Sequence, residues 1–368
     1  MIIKSLNALG VYGNASLNSV DLALIATDGI DVQHYIKTQT VEYPEDLCAN
    51  IRTILAHRSW SYTQLKTNPQ VQLMREKISC FYAECIQNFA SGEKVDCYGI
   101  DGLTIFSNPA EKCSYQLEDG RVLADSLKQN IITHFHRADL LSGGQASPLC
   151  AAFINYLGQR TEKPALFIII DATGSLTYLG HSGEIQAFDC APGTAMIEDW
   201  TFRHANMLTD YNGKLGIIGK ADMQIVSQLL RHKILHKQPP KALDVMCFSE
   251  KKEHLEGLSL ENGTATATAF IAEAVYQAAL DFLPKIPTNI FIGGEGCKNP
   301  TLLRFIKQNF APRAVLPITE IEPELTAFGA QSTAFNTVRR LYGLPLTYPT
   351  TTGAFEPMSG GEIYEKSQ

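Results

Sequence analysis

The feature that most constrains this chain is a strand-turn-strand opening that occurs twice. Near the N-terminus, Asp21–Thr27 and the residues before it read as a strand, a glycine-containing turn and a second strand. The same plan returns after Pro164, where Ala165–Ile170, Ser175–Tyr178 and Glu184–Phe188 form three successive strand candidates separated by turn residues. Short apolar runs alternate with longer amphipathic stretches, the pattern of an α/β protein. At 368 residues the chain also exceeds what one hydrophobic core usually supports. Two α/β lobes around a central cleft are therefore expected, the first spanning residues 1–160 with 335–368 and the second 161–334.

Helical spacing of apolar residues marks Glu45–His57, Val71–Phe89, Ala221–His232, Ala265–Leu283 and a run from about Leu325 to Leu341. Lys94–Ile100 and Thr288–Ile292 read as strands, the first followed by an Asp101-Gly102 turn. Leu117–Asp125 carries an Asp-Gly pair, which predicts a hairpin.

Composition excludes several classes. A hydrophobic fraction of 45% with 19% charged residues belongs to a folded globular chain rather than a disordered one. A net charge of −7, with the signs well mixed, opposes nucleic-acid binding, which needs a basic face. No run approaches the roughly 20 apolar residues of a membrane span, and the N-terminus lacks a signal-peptide h-region. The nine cysteines are scattered without CxxC pairs or zinc spacing, so no metal site is expected. They suit a reducing cytoplasm better than a disulfide framework.

Four glycine-bearing turns can present backbone N–H groups to an anion. They are Gly10–Asp21, Gly143–Pro148, Phe188–Gly193 and Gly293–Pro300. Each has a plain reading as well: a hairpin turn, the opening of a helix with proline in its first turn, an Asp189 cap, and a strand-to-helix loop.

Their order carries a resemblance to the anhydro-N-acetylmuramic acid kinases, extending from about Gly10 to Ala354. The carrying segments are DGRVLAD (119–125), HFHRADLLSGGQASPL (134–149), FDCAPG (188–193), KNPTLL (298–303), ELTAF (324–328) and TGA (352–354). The resemblance implies an actin-like fold of the sugar kinase, heat-shock chaperone and actin type. It also implies ATP and Mg²⁺ as cofactors, a small amino-sugar ligand, a homodimer and a role in cell-wall sugar recycling. It places Asp189 as the base that activates water against the anhydro bond. Glu324, Asp101, Thr104, His134 and His136 fall on the sugar side. Gly13, Asn14, Ser16, Asp171, Gly174, Gly193, Gly294, Gly296 and Asn299 fall on the nucleotide side.

The chain departs from the family pattern at defined places. Ser-Gly-Thr-Ser-Leu-Asp-Gly becomes residues 13–19, GNASLNS. Asn-Ile-Gly-Gly-Ile-Ala-Asn becomes residues 169–175, IIDATGS, which sets Asp171 where bare backbone is the pattern. Gly-Gly-Gly becomes Gly294-Glu295-Gly296, His-Gly-Gln-Thr becomes Asp101-Gly102-Leu103-Thr104, and Asp-Phe-Arg becomes His134-Phe135-His136. An added carboxylate beside a triphosphate is repulsive, so nucleotide binding is expected to be impaired and phosphoryl transfer weak, altered or lost. Three readings follow: a working ATP-dependent sugar kinase, a pseudokinase that binds sugar or protein, and an enzyme that opens the ring without nucleotide.

Overall fold

The computed structural model describes residues 4–13, 17, 19–56, 60–244, 248 and 254–367. They form two compact units, one comprising Met1–Tyr156, Glu324–Pro349 and Gly353–Gln368, the other Leu157–Pro323 and Thr350–Thr352. Residues 324–334, expected in the second lobe, belong to the first. They lead into and begin a continuous helix, Phe328–Leu341, that packs on the first unit's sheet.

In the first unit, β1 (Leu6–Gly13), β2 (Ser19–Thr27) and β3 (Val32–Glu42) make an antiparallel meander. Strand β4 (Cys97–Asp101) joins β1 in parallel. A small hairpin follows, β5 (Thr104–Asn108) with β6 (Cys113–Gln116), and then β7 (Ile131–Thr133) lies parallel to β4. In the second unit, β8 (Ala165–Ile170), β9 (Gly174–Leu179) and β10 (Ile185–Ala191) repeat the meander. Strands β11 (Asn289–Gly293) and β12 (Val315–Pro317) extend it in parallel. A final strand, β13 (Glu362–Tyr364), caps the first sheet against β7.

The sheet orders are β13-β7-β4-β1-β2-β3 and β10-β9-β8-β11-β12. Apart from β13, read from the meander outward, the two are one plan used twice, as the duplicated opening predicts. Each unit has its own core. Leu166, Ile168 and Ile170 of β8 join Phe270 and Val275 in one, and Leu9, Val11, Leu22 and Leu24 join Ile78 and Ile86 in the other. Strand β8 is buried along its whole length, which explains its unbroken apolar run rather than an alternating one.

The expected hairpin at 117–125 is instead a helix, Gly120–Leu127. Asp119 accepts hydrogen bonds from the backbone N–H groups of Arg121 (2.9 Å) and Val122 (3.3 Å). Its side chain thus caps a helix instead of shaping a turn, and Leu123 and Ala124 are buried below it. The helix expected to open at Gly143–Pro148 starts later, at Ala151.

The Phe328–Leu341 helix approaches its sheet very closely. A Cβ on Gly10 would lie 2.1 Å from the Ala330 carbonyl oxygen, and one on Gly99 would lie 1.7 Å from Thr337 Oγ1. Gly10 and Gly99 are paired across β1 and β4, so the two form a bare patch for the helix. At Gly10 the neighbours are helix backbone and cannot rotate away. Gly10→Ala is expected to destabilise the protein by about 1–3 kcal/mol, measured as a lower urea midpoint with an unchanged slope.

Candidate functional site

In each unit the parallel strands end on one edge, and most of the predicted site residues collect there, where open α/β sheets bind their ligands. In the first unit that edge is formed by Gly13, Asp101 and Thr133, the last residues of β1, β4 and β7. The Phe328–Leu341 helix begins beside it, because Gly329 lies under Tyr12 while Thr337 lies over Gly99.

Hydrogen bonds tie this edge together through Gln116 of β6. Its Nε2 donates to Asp101 Oδ1 at 3.3 Å. Its Oε1 therefore faces His134 Nδ1, 2.7 Å away, so that nitrogen carries the proton and donates. His136, nearly buried, places Nε2 2.8 Å from Ser114 Oγ. Burial pushes the His134 imidazole below its usual value and His136 down to about 3, with the neighbouring His134 adding to the effect on His136. Both rings are neutral at pH 7. Burial likewise raises Asp101 to about 6, opposed by the Gln116 hydrogen bond.

Glu118 was not singled out from the sequence, since it stood in a segment read as a hairpin strand. It is fully buried, and Oε1 accepts from Thr133 Oγ1 at 2.7 Å. Its Oε2 makes no hydrogen bond among the described residues and sits where a Cβ on Gly102 would fall, at 1.9 Å. Burial pushes its carboxyl up to about 8. Thr104 opens β5 half-buried. Glu324 is exposed and lies ahead of the helix rather than in its first turn, its carbonyl accepting from Gln331 Nε2 at 2.7 Å. Asn14 and Ser16 lie outside the described residues.

In the second unit, the edge holds the β8–β9 turn, the end of β10 and the loop after β11. Asp171 Oδ1 accepts from the backbone N–H of Glu295 at 2.9 Å. The Asp171 carbonyl accepts from Thr194 N at 2.8 Å, at the start of the Thr194–Ala205 helix. Gly193 and Gly294 take φ of +62° and +86°. A Cβ on either would strike the 170–172 backbone within 2.6 Å, so glycine is needed at both. Gly174 opens β9, and Gly296 lies against Ile170. Glu295 is paired with Lys298 at 2.7 Å, which neutralises the charge that the sequence sets in this loop. Asn299, expected to contact a cofactor, spends its Oδ1 capping the Pro300–Phe310 helix through Thr301 N and Leu302 N.

Asp189 stands two residues before the end of β10 and is 1% exposed. β10 is an edge strand, and the segment around Lys241 covers it. Asp189 N donates to the Lys241 carbonyl at 3.0 Å, and Leu243 N donates to Asp189 Oδ2 at 2.9 Å. Lys241 itself is buried, with Nζ 4.2 Å from the centre of the Phe282 ring, and burial lowers it to about 8. Among the described residues, no three His, Cys, Asp or Glu side chains are grouped to hold a metal, and no helix is long and apolar enough to cross a membrane.

Residues 7–366 match the family described as anhydro-N-acetylmuramic acid kinase. The chain belongs to the anhydro-N-acetylmuramic acid kinase family. A relative of that name from Paramagnetospirillum magneticum is 32% identical over 360 residues, covering 96% of this chain and 98% of its own. Another from Acidiphilium cryptum is 31% identical over 359 residues, covering 97% and 98%. A solved activator of the 2-hydroxyisocaproyl-CoA dehydratase from Clostridium difficile, with bound ADPNP, aligns with a TM-score of 0.45 at 12% identity, covering 92% of this chain and 96% of its own.

The buried acid pair gives this family member a distinctive pH response. Glu118 has a folded-state value above the ordinary carboxyl value of 4.5, so the folded chain holds more protons than the unfolded one in between. Its contribution is fully present below that ordinary value and is lost as pH rises through about 8. The lowered His134 and His136 act in the opposite sense up to their ordinary value of 6.5, so urea midpoints of the wild type should decline between that value and about pH 8, and Glu118→Gln, which keeps the Thr133 acceptor, should flatten the decline.

Proposed function

We propose that this chain binds a 1,6-anhydro amino sugar and opens its anhydro ring with Asp189 as the base, while phosphoryl transfer from ATP to O6 is weakened. The observation that carries the second clause is the hydrogen bond from Glu295 N–H to Asp171. A triphosphate needs those loop N–H groups as donors. The donor is already taken by a fixed carboxylate, which also repels the incoming charge. The residues at this edge do not fit a nucleotide as they stand.

The ring-opening clause rests on this chain's own groups. Asp189 is held by backbone on the covering segment, its Oδ2 accepting from the Leu243 N–H. A water directed at the anomeric carbon gives its proton to Asp189 as the new C–O bond forms. The anomeric C–O6 bond breaks, its electron pair stays on O6, O6 takes a proton from solvent, and Asp189 releases the proton it accepted to solvent. Asp101, Thr104, His134, His136 and Glu324 position the sugar hydroxyls. The family reading further implies a cytoplasmic homodimer that recycles cell-wall sugars.

Calorimetry with ATP and Mg²⁺ tests the nucleotide clause. The wild type is expected to show no saturable binding at micromolar nucleotide, and Asp171→Gly combined with Ala172→Gly is expected to gain it. Tight wild-type binding overturns the clause, and no gain in the double variant removes Asp171 as the obstacle. Turnover of the anhydro-sugar tests the rest. Asp189→Asn should lose about 10²–10⁴-fold in rate, whereas Glu324→Gln should act mainly through KM. Full activity of Asp189→Asn contradicts the assignment of the base.

A further inference from the structure

We propose that the sugar edge of the first unit selects an uncharged 1,6-anhydro-sugar over 1,6-anhydro-N-acetylmuramic acid. This rests on the reading above, that Asp101, Thr104, His134, His136 and Glu324 meet the sugar. Muramic acid differs from a simple N-acetylated hexose by a lactyl ether that ends in a carboxylate. A buried carboxylate needs a cation or several donors. None of the residues assigned to the sugar is a lysine or an arginine.

The family's Asp-Phe-Arg pattern provides a guanidinium at the position of His136. That ring is 6% exposed, bound to Ser114 Oγ at 2.8 Å, and neutral. The two arginines whose charge reaches His134 are each held in an ion pair. Arg75 pairs with Asp119 at 3.2 Å and lies over the Tyr115 ring, and Arg137 pairs with Glu362 at 2.7 Å. What the edge offers in their place is acidic, with Asp101 at the end of β4 and the buried Glu118 beside it.

The edge has nonetheless kept a built hydrogen-bonding unit. The family pattern has histidine where Asp101 stands and aspartate where His134 stands, so the two have exchanged places. Both are attached to one carboxamide, Gln116, at 3.3 and 2.7 Å. Hydroxyl and amide groups of a neutral sugar suit the carboxylate acceptor and the neutral imidazole, whereas a substrate carboxylate meets Asp101 unpaired. Rejection through an unpaired buried charge is an effective way to gain specificity.

Calorimetry on the full chain, with 1,6-anhydro-N-acetylglucosamine and 1,6-anhydro-N-acetylmuramic acid as the two probes, tests this. The neutral sugar is expected to bind at least about tenfold more tightly. His136→Arg should narrow or reverse that ratio. Because His136 is buried and its replacement threatens folding, Asp101→Asn provides a second arm, expected to strengthen the acid relative to the neutral sugar. Equal or tighter binding of the acid by the wild type overturns the inference and leaves the sugar-site reading standing. An unchanged ratio in a folded Asp101→Asn also counts against it. Binding of neither sugar overturns the sugar-site reading and the inference together.

Discussion

Parallel pairing at the centre of each sheet fixes where this protein keeps its polar chemistry. Strands β1, β4 and β7 run the same way, as do β8, β11 and β12. All of their carboxyl ends therefore fall on one edge of each unit. The flanks of such strands are covered by apolar packing, which leaves the ends as the place where carboxylates, imidazoles and bare backbone N–H groups meet solvent or ligand. Close approach of the Phe328–Leu341 helix depends on Gly10 and Gly99, and that approach sets the helix beginning beside Gly13 and Asp101. The acidic first-unit edge and the carboxylate-tied second-unit edge are two outcomes of one topology.

The edges differ in what their charges do. In the second unit Asp171 satisfies its charge internally, through a backbone N–H of the glycine loop, and Glu295 satisfies its own through Lys298. Only the Glu295 charge is thereby neutralised, and an incoming polyanion must displace the bond that Asp171 has already formed. In the first unit Asp101 and Glu118 accept instead from neutral side chains, Gln116 and Thr133. Glu118 has one oxygen bound to Thr133 and the other pressed against Gly102, so the proton stays on the carboxyl across neutral pH. A neutral ligand finds hydrogen-bond partners there already oriented by Gln116.

Much of this was legible in the sequence. The repeated strand-turn-strand opening announced two units, and the apolar run 165–170 was legible as a strand, while its central place in the sheet, buried on both faces, comes from the structure. The positions of Asp171, Gly193 and Gly294 around one loop system followed from the resemblance. Other features were not legible for physical reasons. Asp119-Gly120 reads equally as a turn and as a helix cap, and only the capture of two N–H groups by the Asp119 side chain decides between them. Glu118 could not be recognised as buried while its segment was assigned to an exposed hairpin. The capping role of Asn299 was not legible for a similar reason, since a capping side chain and a ligand-binding one use the same oxygen. The Glu295–Lys298 pair, three residues apart within a single helical turn, reverses the effect that a charge count of the loop suggests.

The central claim is that the sugar edge remains open to ligand while the phosphate edge is closed by its own carboxylate. Hydrogen–deuterium exchange on the full chain tests both halves in one measurement. An uncharged anhydro-sugar is predicted to protect amides at 101–118 and 131–137, while ATP with Mg²⁺ is predicted to leave those at 171–174 and 293–297 unchanged. Protection of the 171–174 and 293–297 loops by micromolar ATP, or an absence of protection by any anhydro-sugar, would contradict the account.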